Sequence, residues 1–271
     1  MGRSPLFFRK PLKINAILLL IERWPETGWE KMSLETLVRL GGFTLVLLLM
    51  LGWEQWRPLH RDSRRWARRG VNLLIVVLDT AVLRLALPLL AAGAALLASE
   101  QGWGLLNALH WPRWLELVIA FLVLDMTIYW QHRLFHRIKP LWRLHAMHHS
   151  DLVMDTTTGL RFHPLEILLS MLIKVAVVMV IGAPWLAVVV FEVVLNATAL
   201  FNHGNIRLPG WLERPLRRVI VTPDMHRVHH SLHADEHHSN FSFNLSIWDR
   251  LFRSYCAQPR EGHGAMTIGL D

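Results

Sequence analysis

"WLELVIAFLVLDMTIYWQHRLFHRIKPLWRLHAMHHS" (residues 114–150) runs from a membrane-length apolar stretch straight into five histidines. The first half, 114–130, is almost uninterrupted by charge, as a spanning helix requires. The second half places His132 and His136 four residues apart, and His145, His148 and His149 at i, i+3, i+4. Both spacings put imidazoles on one face of a helix. Pro140 lies between the two sets, where it ends one helix and opens the next. Further on, "VTPDMHRVHHS" repeats the second spacing with His226, His229 and His230. It carries its own helix start: Thr222 as N-cap, Pro223 at the first helical position and Asp224 in the first turn.

The whole chain shares the apolar character of that opening stretch. Its 271 residues are 52% hydrophobic and 18% charged, with a mean hydropathy of +0.29. Four regions have spanning character: 37–56, 71–99, 114–130, and 165–201. The last is nearly twice the length of one span and has Gly182, Ala183 and Pro184 at its middle, so it reads as a helical hairpin. Residues 14–24 are too short to cross and read as an interfacial helix. A signal peptide is disfavoured there by Glu22 and by the lack of a small-residue cleavage pattern. The 13 tryptophans against 2 tyrosines suit anchors at headgroup level. The expected organisation is an N-terminal interfacial segment, 1–35, followed by one all-α membrane domain, 36–271, with four to five embedded helices.

Arginine placement orients this domain. Arg57, Arg61, Arg64, Arg65, Arg68 and Arg69 lie between the first two spans, whereas the loop 100–113 has only Arg113. The positive-inside rule assigns the former to the cytoplasm. Counting spans onward places 131–164 and 202–271 there too, and with them every histidine except His60 and His110. The net charge of +8 is explained by this topology and by anionic headgroups. No nucleic-acid partner is expected, since no stacking aromatics or binding motif accompany the charge. The lone cysteine, Cys256, excludes an intramolecular disulfide and any cysteine-based zinc or iron–sulfur site within one chain.

Eight histidines on three helix faces beneath a bilayer are costly to gather unless something binds them. Imidazole suits iron, zinc, copper and nickel. One tetrahedral zinc uses only four ligands, so eight rings suffice for two ions with exchangeable positions left open. No nucleophile with an oriented base and no glycine-rich phosphate cradle appears, so hydrolase and nucleotide-binding readings lack residues, whereas redox metal chemistry needs neither.

In these blocks the sequence resembles the fatty acid hydroxylase and sterol desaturase superfamily of membrane di-iron oxygenases. The superfamily signature HxxxH, HxxHH, HxxHH is met by "HRLFH", "HAMHH" and "HRVHH" in that order. Similar too are "LDMTIYWQHRLFH", "RFHPLE", "FNHGN" and the closing "NFSFNLSIWDRLFRSY", so the resemblance covers roughly 115–255. Two departures, Ser242 and Arg253 where glycine is usual, bear on local backbone conformation.

The resemblance implies a cytosolic helical cap over the membrane helices, with two iron ions at the junction; zinc is able to replace iron in a purified sample. It implies His132, His136, His145, His148, His149, His226, His229 and His230 as ligands, and His203 of "FNHGN" as a ninth. It also implies dioxygen as co-substrate and oxidation of an unactivated lipid C–H bond to an alcohol or an alkene. Electrons then come from a separate ferredoxin, cytochrome or reductase, since no flavin or haem motif is present. Ether-lipid cleavage is a second reaction within the superfamily.

Other positions remain open. His163, before Pro164, suits a ligand, a hydrogen bond to a ligand, or a helix start. Asp125 and Tyr129 share the face of His132, so the carboxylate is placed either to hold a ligand's other N–H or to make a helix-to-helix contact. His233, His237 and His238 read as mostly solvent-facing, with one of them able to approach a metal. Asp79, Arg84, Lys174 and Glu192 are conspicuous charges within spans; Arg84 is placed to pair with Asp79, and Lys174 to snorkel. In "SIWDRLF" (246–252), Asp249 and Arg250 are expected to pair with other charges and lock the cap, over packed Trp248, Leu251 and Phe252. Two non-oxygenase classes make contrary demands: metal transport needs ligands deep within the spans, and a haem or quinone protein needs histidines inside apolar segments.

Overall fold

The apolar runs become long helices because a backbone in lipid must satisfy its polar groups internally. The computed structural model describes residues 28–109 and 111–270. The interfacial helix read at 14–24, and His110, lie outside the described residues. The chain divides into two compact units, Met1–Val38 and Arg39–Asp271. The described residues contain no β-strand, only isolated bridges at Ile220–Leu245 and Ser231–Ile268.

In chain order the helices are α1 (Gly28–Trp56), α2 (Arg65–Ala86), α3 (Ala91–Gln101), α4 (Leu105–Leu109), α5 (Arg113–Arg137) and α6 (Lys139–His149). A 3₁₀ turn, Thr156–Leu160, precedes α7 (Pro164–Ile181) and α8 (Trp185–Asn202). Four short helices follow: α9 (Gly210–Leu216), α10 (Pro223–His229), α11 (Ala234–His237) and α12 (Ile247–Leu251). Among the described residues, five segments are long and apolar enough to cross a membrane: 33–56, 65–109, 113–137, 164–181 and 185–202. Their outward faces keep large apolar side chains exposed, such as Leu48, Leu74, Val118, Leu172 and Val190, as contact with lipid tails requires.

The expected span at 71–99 lies within the 65–109 segment, with one difference in its backbone. The run 71–99 is not a single helix but breaks at Leu87–Leu90 around Pro88, which cannot continue the hydrogen-bond ladder. Beyond the break, α3 is a short helix of small residues. Ala91, Ala92, Ala94, Ala95 and Ala98 are buried against α7 and α8. There the turn after α3 meets the turn between α7 and α8 backbone to backbone. A Cβ on Gly104 would stand 2.1 Å from the Gly182 nitrogen, and both residues have positive φ, so glycine is required at each.

The opposite end of the bundle is closed by charge. Glu54 of α1 accepts from Arg69 of α2 (2.6 Å) and from the backbone amides of Thr156 (2.7 Å) and Asn205 (2.8 Å). Arg68 binds Asp62, Asp151 and Asp155 at 2.6–2.8 Å. Thus α1, α2, the 3₁₀ turn and the end of α8 meet at one level. Within the spans, Lys174 pairs with Glu192 (2.8 Å), which also meets Arg39 (3.0 Å), so Lys174 joins helices rather than snorkelling. Asp79 is buried with one carboxylate oxygen unpartnered, and Arg84 is exposed; no ion pair between them is seen.

Candidate metal centre

At that charged end, nine imidazoles converge. His132 and His136 end α5; His145, His148 and His149 lie on α6; His203 follows α8; His226, His229 and His230 lie on and just after α10. All are buried, none more than 5% exposed. They fall into two adjoining groups whose ring nitrogens lie within 4.8 Å of one another: His132, His136, His145, His149 and His229 in one, His148, His203, His226 and His230 in the other. Helix geometry explains the division. Residues advance about 100° each, so i and i+4 stay about 40° apart while i+3 falls about 60° to the other side. On α6 the i, i+4 pair (His145, His149) serves the five-ring group and His148 the other. On α10 the assignment reverses: His226 and His230 serve the four-ring group and His229 the five-ring group.

The hydrogen bonds decide which nitrogen each ring offers. The Nδ1–H groups of His132, His229, His203 and His148 donate to the carbonyls of Phe241 (2.8 Å), Ser239 (2.7 Å), Ala199 (2.7 Å) and Arg161 (3.2 Å). His145 Nδ1–H donates to Glu166 Oε1 at 2.7 Å. Because a carbonyl only accepts, each Nδ1 must carry the proton, and a neutral ring then presents a bare lone pair at Nε2. Burial, with neighbouring imidazoles, holds His148, His149, His226, His229 and His230 well below the usual histidine pKa; burial holds His203 down to about 4. These six rings are therefore neutral.

Neutral rings make the close Nε2 pairs unfavourable by themselves. His132 and His145 approach at 3.1 Å, His148 and His203 at 3.1 Å, His203 and His226 at 3.0 Å. In the second pair both Nδ1 atoms carry the proton, so both Nε2 atoms are acceptors and no hydrogen bond joins them. A metal–nitrogen bond of about 2.1 Å at right angles gives a nitrogen separation of about 3.0 Å. Both ring nitrogens of His136 and His230, and Nε2 of His149 and His229, are buried without partners. The donor set thus fits cations at both groups.

The remaining expectations resolve as follows. His163 is the N-cap of α7, its Nδ1 accepting from the Leu165 amide at 3.1 Å, and it joins neither group. Asp125 does not hold a histidine. Its Oδ2 accepts from Trp248 Nε1 (2.8 Å) and the Leu245 amide (3.2 Å), fixing the closing stretch to α5. Tyr129 likewise bonds Ser254 (2.8 Å) and Arg133 (2.9 Å) and stacks on Phe252. Asp249 pairs with no charge, contrary to expectation. It accepts from the amides of Phe241 (2.8 Å) and Ser242 (3.0 Å) and from Ser254 (2.7 Å), so it shapes the loop whose carbonyls hold His132 and His229. Arg250 meets the carbonyls of Ser246 and Arg217, and Leu251 is exposed rather than packed beneath. His237 is half-buried beside His136, whereas His238 is exposed.

Sequence reasoning missed Glu166. Its signal was present: a carboxylate in "RFHPLE", at the threshold of an apolar run, is expensive without a partner. The backbone carbonyls that hold four other rings leave no such trace.

The sequence is similar to several known proteins. Ornithine lipid hydroxylase OlsE of Rhizobium tropici is 32% identical over 152 residues, which is 56% of this chain and 45% of that protein. The alkylglycerol monooxygenase of Danio rerio is 29% identical over 155 residues, 55% of this chain and 31% of that protein. A very-long-chain aldehyde decarbonylase of Oryza sativa subsp. indica is 27% identical over 221 residues, covering 80% and 83%. The chain thus spans less than half the length of the first two. No solved structure matches. The fatty acid hydroxylase profile matches residues 117–254, which hold all nine converging histidines together with Glu166 and Asp249; the chain belongs to the fatty acid hydroxylase family.

Proposed function

We propose that the protein is an iron- and dioxygen-dependent membrane oxidoreductase that hydroxylates or desaturates a C–H bond of a lipid. The observation that carries this reading is the pair of adjoining imidazole groups, with Nδ1 fixed in five rings and Nε2 turned inward, at one end of a bundle of apolar helices. His132, His136, His145, His149 and His229 would hold one ion; His148, His203, His226 and His230 the other. Bound iron would supply the activation of dioxygen for attack on an unactivated C–H bond. The residues around it hold the rings and exclude water. Phe162 stacks on His148 (4.5 Å between centroids), and Phe241 and Phe243 pack on His136 (5.2 Å) and His132 (5.1 Å).

The substrate reaches such a site from the lipid phase, with its reactive carbon raised to the level of the helix ends. The site faces the cytoplasm in this reading. Arg57 and Arg65 lie over exposed Trp56 and Trp66 beside it, a combination suited to anionic headgroups on the inner face. Electrons come from an external ferredoxin, cytochrome or reductase. Non-catalytic metal transport is disfavoured, because the imidazoles gather at one end rather than along a path through the spans.

The test joins two measurements: metal content of the purified protein, and mass spectrometry of lipid extracts from cells with and without the gene. Expected are bound iron and a lipid that gains one oxygen or loses two hydrogens, with the iron content lowered and the lipid product lost in His148→Ala. Unchanged metal and unchanged lipids in that variant overturn the reading. The likeness to alkylglycerol monooxygenases favours one alternative, cleavage of an ether lipid by hydroxylation beside the ether oxygen. Supplying alkylglycerols and assaying aldehyde release separates the two.

A further inference from the structure

Of the nine converging histidines, His136 is the one shared with a second, outer set of imidazoles. Its ring nitrogens lie within 4.8 Å of those of His237 and His238, as well as within the five-ring group. Exposure rises along this second set, from buried His136 through half-buried His237 to exposed His238. Neither His136 ring nitrogen has a hydrogen-bond partner, and His237 Nδ1 is also buried without one. This contrasts with His132, His145 and His229, whose rings are fixed through Nδ1. An unfastened ring can turn between two sets of donors. Trp142 packs against both rings: His237 stacks on it, centroids 5.5 Å apart and planes 7° from parallel, and its ring is 5.0 Å from that of His136.

We propose that His136, His237 and His238 form a third transition-metal site, reached from solvent, that loads divalent ions into the buried five-histidine group. The proposal rests on the function read above, in which that group holds metal. Three neutral imidazoles select first-row divalent ions over magnesium or calcium, which prefer oxygen. A resident ion is not expected there. Two of the donors stand in or near solvent, and the charge of Arg137 is felt at His238, so the site is weaker than the buried one. A weak outer site sharing one ligand with a strong inner one moves ions inward.

The test follows Co²⁺ uptake by the full-length protein in detergent, produced in metal-depleted medium, using visible absorption and metal content over time. The wild type is expected to fill both buried groups. His237→Ala/His238→Ala should reach the same final content, slower by on the order of tenfold. His238→Ala alone, at an exposed side chain that leaves the core intact, should slow uptake by about threefold. His233→Ala, whose ring instead meets Glu261 at 3.1 Å, should load like the wild type. Equal loading rates in all variants overturn the loading role and leave the proposed function standing. A lower final content in the double variant also overturns it, since His237 and His238 would then be resident ligands. A wild type that binds no ion overturns both readings together.

Discussion

The two imidazole groups both draw on α6 and α10, one adding two rings from α5 and the other the ring that follows α8, and they are held differently. In the five-ring group, His145 is fastened by a carboxylate, Glu166, and His132 and His229 by carbonyls of one loop, 239–241. In the four-ring group, only carbonyls serve, from Ala199 and Arg161, and His226 Nδ1 and both nitrogens of His230 are unpartnered. A carboxylate makes its imidazole a stronger donor. Five nitrogens leave about one position of an octahedron and four leave about two. The groups are therefore unequal by construction: one is richer in charge, the other more open.

Removing ligands should expose that inequality most strongly. His148→Ala leaves three rings in the smaller group and should lower metal content to about one ion per chain, with oxidation abolished. His149→Ala leaves four in the larger group and should retain about two. Elemental analysis of both variants checks this, and equal losses would dissolve the distinction. Next in size is Glu166→Ala, expected to weaken metal binding at the larger group by about 10- to 100-fold while sparing the smaller. Competition with a chelator resolves the two phases.

Acidification acts on both groups. His149 and His229 of the larger group and His148, His226 and His230 of the smaller have folded-state pKa values well below the 6.5 of an unfolded chain, and His203 lies at about 4. Above about pH 6.5 neither state takes up protons at these rings and the fold is unpenalised; below it the unfolded chain protonates first. Stability of the metal-free protein should thus fall progressively as pH drops from about 6.5 towards 4, which thermal unfolding across that range would show. A flat profile would mean the rings are not buried together. Asp249→Ala strands two buried amides and should cost about 1–3 kcal/mol, while weakening the larger group alone, because its loop holds His132 and His229. The smallest effect is expected at exposed Arg253, which sits at φ 57 where glycine is at ease. Arg253→Gly should stabilise by about 1 kcal/mol, measurable as a raised unfolding midpoint.

The asymmetry also marks how far the sequence could be read. Ring positions were legible because i, i+3, i+4 spacing is a local property of a helix, and "HAMHH" and "HRVHH" display it openly. Which ring serves which group was not, since that depends on how α6 and α10 are rotated towards each other. Asp125 shares a helix face with His132, and sequence alone could not tell that Trp248, remote in the chain, would claim the carboxylate. The carbonyls that orient His132 and His229 belong to residues whose side chains say nothing of the role. Hydropathy ran unbroken across Pro88 and concealed the break between α2 and α3, although the proline itself was visible.

Glu54 ties the lower rim of the first helix to three other segments at once. Sliding that helix along its axis by one turn, about 5.4 Å, would abandon a guanidinium and two peptide nitrogens together. A bilayer thinner or thicker than the bundle therefore meets a fixed hydrophobic height, and the lipid, or the tilt of the entire assembly, has to adjust.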